Sequence, residues 1–172
     1  EYLDTDKFEA DMIERVVSAN LLSAARCLEV ALPLLRKSAR PHLVGVCSSV
    51  TWLPLPRAEA YGASKAAMRY LFQSLRIDLA REGIDVTLIS PGFVDTPLTR
   101  NNDFPMPMRW PVDKAVAYIA ARLPKRPLEI AFPGPFIFAL RLLAALPQAV
   151  QFALGKRLAR ASQHPSQGNT SS

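Results

Sequence analysis

Cysteine is scarce. Cys27 and Cys47 are the whole supply in 172 residues, and Cys47 lies in an apolar run, so a disulfide framework is not expected. His42 and His164 stand far apart and, with two lone cysteines, give no metal-ligand spacing, so no metal site is expected. No Gly-x-Ser-x-Gly elbow is present, which sets aside the commonest serine hydrolase arrangement. There is no visible signal peptide and no uninterrupted run of the ~18 apolar residues that would span a bilayer. The expected compartment is therefore a reduced cytoplasm. Acidic residues run short toward the end: residues 112–172 carry 8 basic and 2 acidic side chains, whereas residues 1–60 carry 7 and 8. The net charge of +6 is thus concentrated in the last third, read first as a solvated face and second as a contact for an anionic membrane surface. No nucleic-acid partner is indicated.

What is present fits one globular domain. About half of the residues (49%) are apolar and 21% are charged, enough to build a core without the signature of disorder. The chain opens on Glu1-Tyr2-Leu3 with no initiator Met, which predicts a processed product or a fragment. Phe8, Met12, Val16, Ala19, Leu22 and then Leu28 to Leu35 recur at helical steps. Asp6 with Glu9 is a candidate capping box, and Pro33 is expected to kink or end this helix. Leu43 to Cys47 reads as a buried strand, Tyr61 to Arg81 as a helix stopped by Gly83, and Ile84 to Ile89 as a second buried strand. Two strands joined by a helix of that length predict a parallel βαβ unit. A helix from Val112 to Leu123, a strand from Leu128 to Phe132 and an apolar helical segment from Phe136 to Arg160, broken at Pro147, complete residues 1–160. Residues 161–172 read as a disordered polar tail.

The chemistry gathers around Tyr61-Gly62-Ala63-Ser64-Lys65. Tyr61 and Lys65 are four apart and share a helix face, so the ammonium is expected to approach the phenol and lower its pKa, giving a usable acid or base. Ser48 lies thirteen residues earlier, at the C-terminal end of the first strand, the edge where open α/β sheets bind ligands. Ser49 is its rival. Asn20 sits among apolar neighbours on the preceding helix, and Pro91-Gly92-Phe93-Val94-Asp95-Thr96 leaves the second strand at the same edge. Trp52 and Trp110 read either as loop packing or as a substrate rim.

In order and spacing, Asn20, Ser48, Tyr61 with Lys65, and Pro91-Gly92 with Thr96 resemble the short-chain dehydrogenase/reductase family in its classical type. The resemblance covers about Phe8 to Thr99. It implies an α/β, Rossmann-like, doubly wound parallel sheet with flanking helices, here partial and with a helical C-terminal extension. It also implies NAD or NADP as cofactor, with hydride passing between the nicotinamide and a secondary alcohol or ketone. By the same resemblance Tyr61 is the acid/base and Ser48 binds the substrate oxygen. Lys65 holds the nicotinamide ribose and lowers the Tyr61 pKa, and Asn20 holds a relay water. Pro91, Gly92, Val94 and Thr96 line the nicotinamide, and a homo-oligomer built on the long helices is expected. The apolar loop Phe104 to Met108 hints at a hydrophobic small-molecule substrate.

The departure from the family is in glycine. The family's Gly-x-x-x-Gly-x-Gly turn cradles the pyrophosphate at a helix N-terminus. The seven glycines here, Gly45, Gly62, Gly83, Gly92, Gly134, Gly155 and Gly168, include no such set. The chain therefore reads as a catalytic half without an adenosine-binding half. The alternative is a truncated, non-catalytic remnant serving as an interface or binding piece.

Overall fold

The computed structural model describes residues 8–100 and 106–162. Among them, β1 (His42–Val46), β2 (Asp85–Pro91) and β3 (Glu129–Phe132) form one parallel sheet in the order β1-β2-β3. Val46 pairs with Ile89, and Pro91 pairs with Phe132. β2 is central and buried on both faces, so Thr87 and Ser90 are buried along with Val86, Leu88 and Ile89.

Helices cover both faces. α1 (Ala10–Val17), a π-helical turn (Ser18–Leu22) and α2 (Ser23–Leu35) run on without a break. With α3 (Glu59–Ala80) they enclose the larger core, in which Leu28, Met68 and Phe72 meet Leu43, Val86 and Leu88 of the sheet. Gly45 is fixed by this packing. A Cβ there would lie 2.5 Å from the Phe72 ring, so strand and helix can approach this closely only at a glycine. On the other face, α5 (Val112–Arg122) brings Ala115, Tyr118 and Ile119 onto Ile89, Ile130 and Phe132. The short α4 (Pro97–Arg100) follows β2. α6 (Gly134–Ala144) and α7 (Gln148–Ser162) follow β3.

The doubly wound α/β arrangement agrees with the expectation, and the boundaries differ at a few points. Pro33 does not stop α2, which continues to Leu35, because a proline this near a helix end removes only one late hydrogen bond. Glu9 is at the N-cap position without a side-chain cap, and Asp6 lies outside the described residues, so the capping box is not formed by Glu9. α6 begins two residues early, with Pro135 in the first turn where a missing N–H costs nothing. α7 runs to Ser162, and the expected tail beyond it lies outside the described residues, as do residues 101–105 of the apolar loop. Ala10–Leu35 is long and apolar enough, by length and composition alone, to cross a membrane. Here it forms the outer layer over α3, with Leu28 in the core and Val30 and Leu34 facing outward.

Candidate active site

The site forms where β1 ends. The Cys47 amide still bonds to Ile89 (2.7 Å), and Ser48 continues in extended backbone (φ −160°, ψ 153°). A 3₁₀ turn, Ser49–Thr51, then turns the chain aside. The Ser48 Oγ accepts from the Val50 amide (3.3 Å), and the Ser48 carbonyl accepts from the Thr51 Oγ1 (3.0 Å). Ser48 is thereby held at the C-terminal edge of the sheet. Because α3 starts at Glu59, Tyr61 and Lys65 fall in its first two turns, over the same edge.

The Ser48 hydroxyl is near enough to the Tyr61 phenol to act on its titration. Ser49 is buried instead. Although Tyr61 is 37% exposed as a residue, the protein packed around its phenol pushes the pKa above its ordinary value, the Ser48 hydroxyl pulls it part of the way back, and Cys47 adds a smaller upward push. Lys65 takes no part in that balance here. The Lys65 ammonium lies 5.9 Å from the Tyr61 ring centre and donates to the Val46 carbonyl (3.2 Å). Its own pKa is lowered by burial, with Cys47 pulling the other way. The charge is spent on the edge strand rather than on the phenol oxygen.

Asn20 sits in the π-helical turn, a local widening that often marks a functional position. Its Nδ2 donates to the Ser64 Oγ (2.9 Å), which in turn donates to the Tyr61 carbonyl (2.8 Å). Asn20 is thus tied to the first turn of α3 through a residue that spacing did not single out. Ser64 is 1% exposed, and its signal was a small hydroxyl at i+3 from Tyr61 on the inward helix face.

The segment after β2 reaches the same edge. The Gly92 amide donates to the Phe132 carbonyl (2.7 Å), and a Cβ on Gly92 would fall 3.0 Å from Phe136 and 3.1 Å from Pro133, a tight fit that would make both neighbours give way slightly. Val94 pairs with Trp110 and packs into the α5-side core. The Thr96 amide donates to the Thr99 Oγ1 (2.9 Å), which itself donates to the Val94 carbonyl (2.6 Å). Trp110 stacks on Phe132 with ring centres 5.1 Å apart, so it is core rather than rim.

A second polar cluster lies beside this edge. Glu129 of β3 receives a two-pronged contact from Arg69 (2.6 and 3.3 Å), a hydrogen bond from the Ser90 hydroxyl (2.6 Å) and one from Arg141 (2.9 Å). Burial pushes the Glu129 carboxyl up, but the Arg69 and Ser90 hydrogen bonds and the two arginine charges outweigh it and hold it below the usual range. Sequence reading missed this cluster, although an arginine one turn beyond Lys65 on a half-apolar helix was a visible hint.

A model of the short chain dehydrogenases matches residues 3–105, more than half of the chain. The chain belongs to that family. A relative from Myxococcus xanthus called an uncharacterized oxidoreductase is 34% identical over 148 residues, covering 86% of this chain and 58% of its own length. The 11-beta-hydroxysteroid dehydrogenase 1A of Arabidopsis thaliana is 35% identical over 89 residues, 52% of this chain and 25% of its own. Among solved structures, a short chain dehydrogenase from Burkholderia cenocepacia in complex with NADP superposes with a TM-score of 0.75 at 23% identity, over 87% of this chain and 62% of that one. The RhlG/NADP active-site complex of Pseudomonas aeruginosa gives 0.67 at 27% identity, over 80% and 62%. This short-chain dehydrogenase chain spans three fifths or less of the length of the curated relatives described.

Proposed function

We propose that this chain supplies the catalytic half of an NAD- or NADP-dependent oxidoreductase that interconverts a secondary alcohol and a ketone. The observation that carries the reading is the meeting of Ser48, where β1 ends, with Tyr61 and Lys65 of the first two turns of α3, the Lys65 ammonium 5.9 Å from the Tyr61 ring, at the C-terminal edge of a parallel sheet. When bound, the nicotinamide cofactor supplies or accepts the hydride. In the reducing direction Tyr61, whose raised pKa keeps it protonated, gives its proton to the alkoxide that develops on the substrate, and Ser48 stabilises that oxygen. The donors present fit such a group. Lys65 has a half-buried ammonium that could turn from the Val46 carbonyl to a ribose hydroxyl, and Pro91 and Gly92 with Val94 and Thr96 would face the nicotinamide. A phenol that must also accept a proton in oxidation needs its pKa lowered, and Lys65 would achieve this by leaving the Val46 carbonyl for the site.

An apolar substrate suits the surroundings. An open, largely apolar cleft of about 710 Å³ lies between Leu53, Leu55 and Pro56 of the loop after Ser48, the start of α3, and Phe152 of α7. Neither Ser48 nor Tyr61 lines it, but their chain neighbours Val50 and Gly62 do, so it adjoins the reacting edge rather than enclosing it. We also propose a homo-oligomer, supported by the outward-facing Val30, Leu34, Tyr70 and Ile77 on α2 and α3.

The test is Tyr61→Phe in the protein as the cell makes it, assayed by steady-state rates alongside melting curves. Turnover should fall by ~100-fold or more with the fold intact, the usual contribution of an acid/base group. A variant that keeps more than about a tenth of the rate excludes the role. The second reading, a non-catalytic remnant, is favoured by the prior commitment of Val94 to the core and of the Thr96 amide to Thr99. A cofactor titration of that same protein separates the two, since a remnant would bind neither nucleotide.

A further inference from the structure

The Glu129 cluster does more than join β3 to its neighbours. Trp52, at the end of the 3₁₀ turn that begins after Ser48, has the Arg69 guanidinium 5.0 Å from its ring centre and that of Arg141 4.9 Å away. Both arginines are anchored on the two oxygens of Glu129, which also takes the Ser90 hydroxyl. Ser90 is fully buried and immediately precedes Pro91-Gly92. Arg69 lies one helical turn beyond Lys65. The three segments that would carry the reaction, the Ser48 turn, the first turns of α3 and the exit of β2, are therefore pinned to one carboxylate.

We infer that Trp52 is a positioning residue: its ring, held by two guanidiniums fixed on Glu129, sets the Ser48 hydroxyl against Tyr61. The inference rests on the functional reading above for its purpose, but its geometry stands apart from it. The turn is held by its own short hydrogen bonds and by the burial of Ser49 and Leu53, and Trp52 adds a tie that runs from it to Glu129 through the guanidiniums. Planar guanidiniums suit this task because they stack on a ring face while their edges remain bonded to a carboxylate. An aliphatic side chain at 52 would fill space and still leave the turn free to shift.

The experiment reads Tyr61 directly and uses the protein as the cell makes it, without cofactor. The phenolate absorbance of Tyr61 is followed against pH, with Tyr61→Phe as the blank, in wild type and in Trp52→Leu, Trp52→Phe and Ser48→Ala. Ser48→Ala should raise the Tyr61 midpoint by about half to one unit, the worth of a single hydrogen bond. Trp52→Leu should raise it in the same direction, the double variant with Ser48→Ala should go no further, and Trp52→Phe should restore most of the wild-type value. If Trp52→Leu does not fold, Glu129→Gln is read in its place. Loss of a negative charge would by itself lower the midpoint, so a rise there can come only from the displaced turn. A folded Trp52→Leu whose midpoint equals that of wild type overturns the inference, whatever its melting temperature. A Tyr61→Phe enzyme that kept its turnover would sink the proposed function and leave this coupling unaffected.

Discussion

Ser64 has one hydroxyl and two obligations: it accepts from Asn20 and donates to the Tyr61 carbonyl while almost fully out of water. Ser64→Ala leaves the Asn20 amide without its partner and is expected to cost about 1–3 kcal/mol, measured by denaturant unfolding. Asn20→Ala loses only the bond to Ser64, and the double variant should cost less than the sum of the two single changes, because that bond is common to both. The opposite result, full additivity, would mean that Asn20 is held by something other than Ser64. At this scale the sequence is a partial guide. Tyr61, Lys65 and Ser48 were legible because helix periodicity and a strand end fix their relative places. The direction of the Tyr61 shift was not. It depends on where the Lys65 ammonium goes, and a backbone carbonyl on β1 is not something that spacing reveals.

Strand and helix pack without clearance where Gly45 meets Phe72. Gly45→Ala is expected to cost about 1–3 kcal/mol through overpacking, and adding Phe72→Leu, which removes the offending ring, should recover part of the loss in melting temperature. Glu129 makes the corresponding prediction for β3. Its folded pKa is held down, so its contribution is complete above its unfolded pKa and disappears as pH falls through the folded value. Wild type should therefore lose melting temperature on acidification faster than Glu129→Gln. At neutral pH the variant should be less stable by roughly 1–3 kcal/mol, below the figure for a fully buried pair because the carboxylate is still 17% exposed. Equal acid sensitivity in the two proteins would count against the assignment. The strands and helices themselves were readable from apolar runs and helical steps to within a few residues. The π-helical turn and the Glu129 hub were not. The former is a deviation that periodicity averages away, and the latter joins residues 60 apart that only the pairing of β3 with β2 brings together.

The molecule as a whole leaves two surfaces open. Val30, Leu34, Tyr70 and Ile77 form an apolar exterior over α2 and α3, and a self-complementary patch of that kind predicts an isologous pair. Sedimentation at micromolar concentration should show a species larger than the monomer, and Ile77→Glu should shift it down. The other open surface is the outer edge of β1, which among the described residues pairs only with β2 and ends at a half-exposed Val46. That edge bears on cofactor binding. A pyrophosphate is held by backbone amides at a glycine-rich strand-to-helix turn, and the 172 residues contain no such turn. What they offer, on the proposed reading, is the nicotinamide end: Lys65, Gly92, Val94 and Thr96. Two of these have prior commitments, since Val94 packs into the core and the Thr96 amide is taken by Thr99. Such contacts must by themselves offset the entropy lost on immobilising a large, flexible dinucleotide. The isolated chain is therefore expected to bind NAD and NADP far more weakly than the micromolar range and to show no alcohol oxidation. Calorimetric titration with each nucleotide measures this. Micromolar binding would mean that the pyrophosphate finds its amides elsewhere on this fold or on a second copy, and running the titration with Ile77→Glu would tell those two apart.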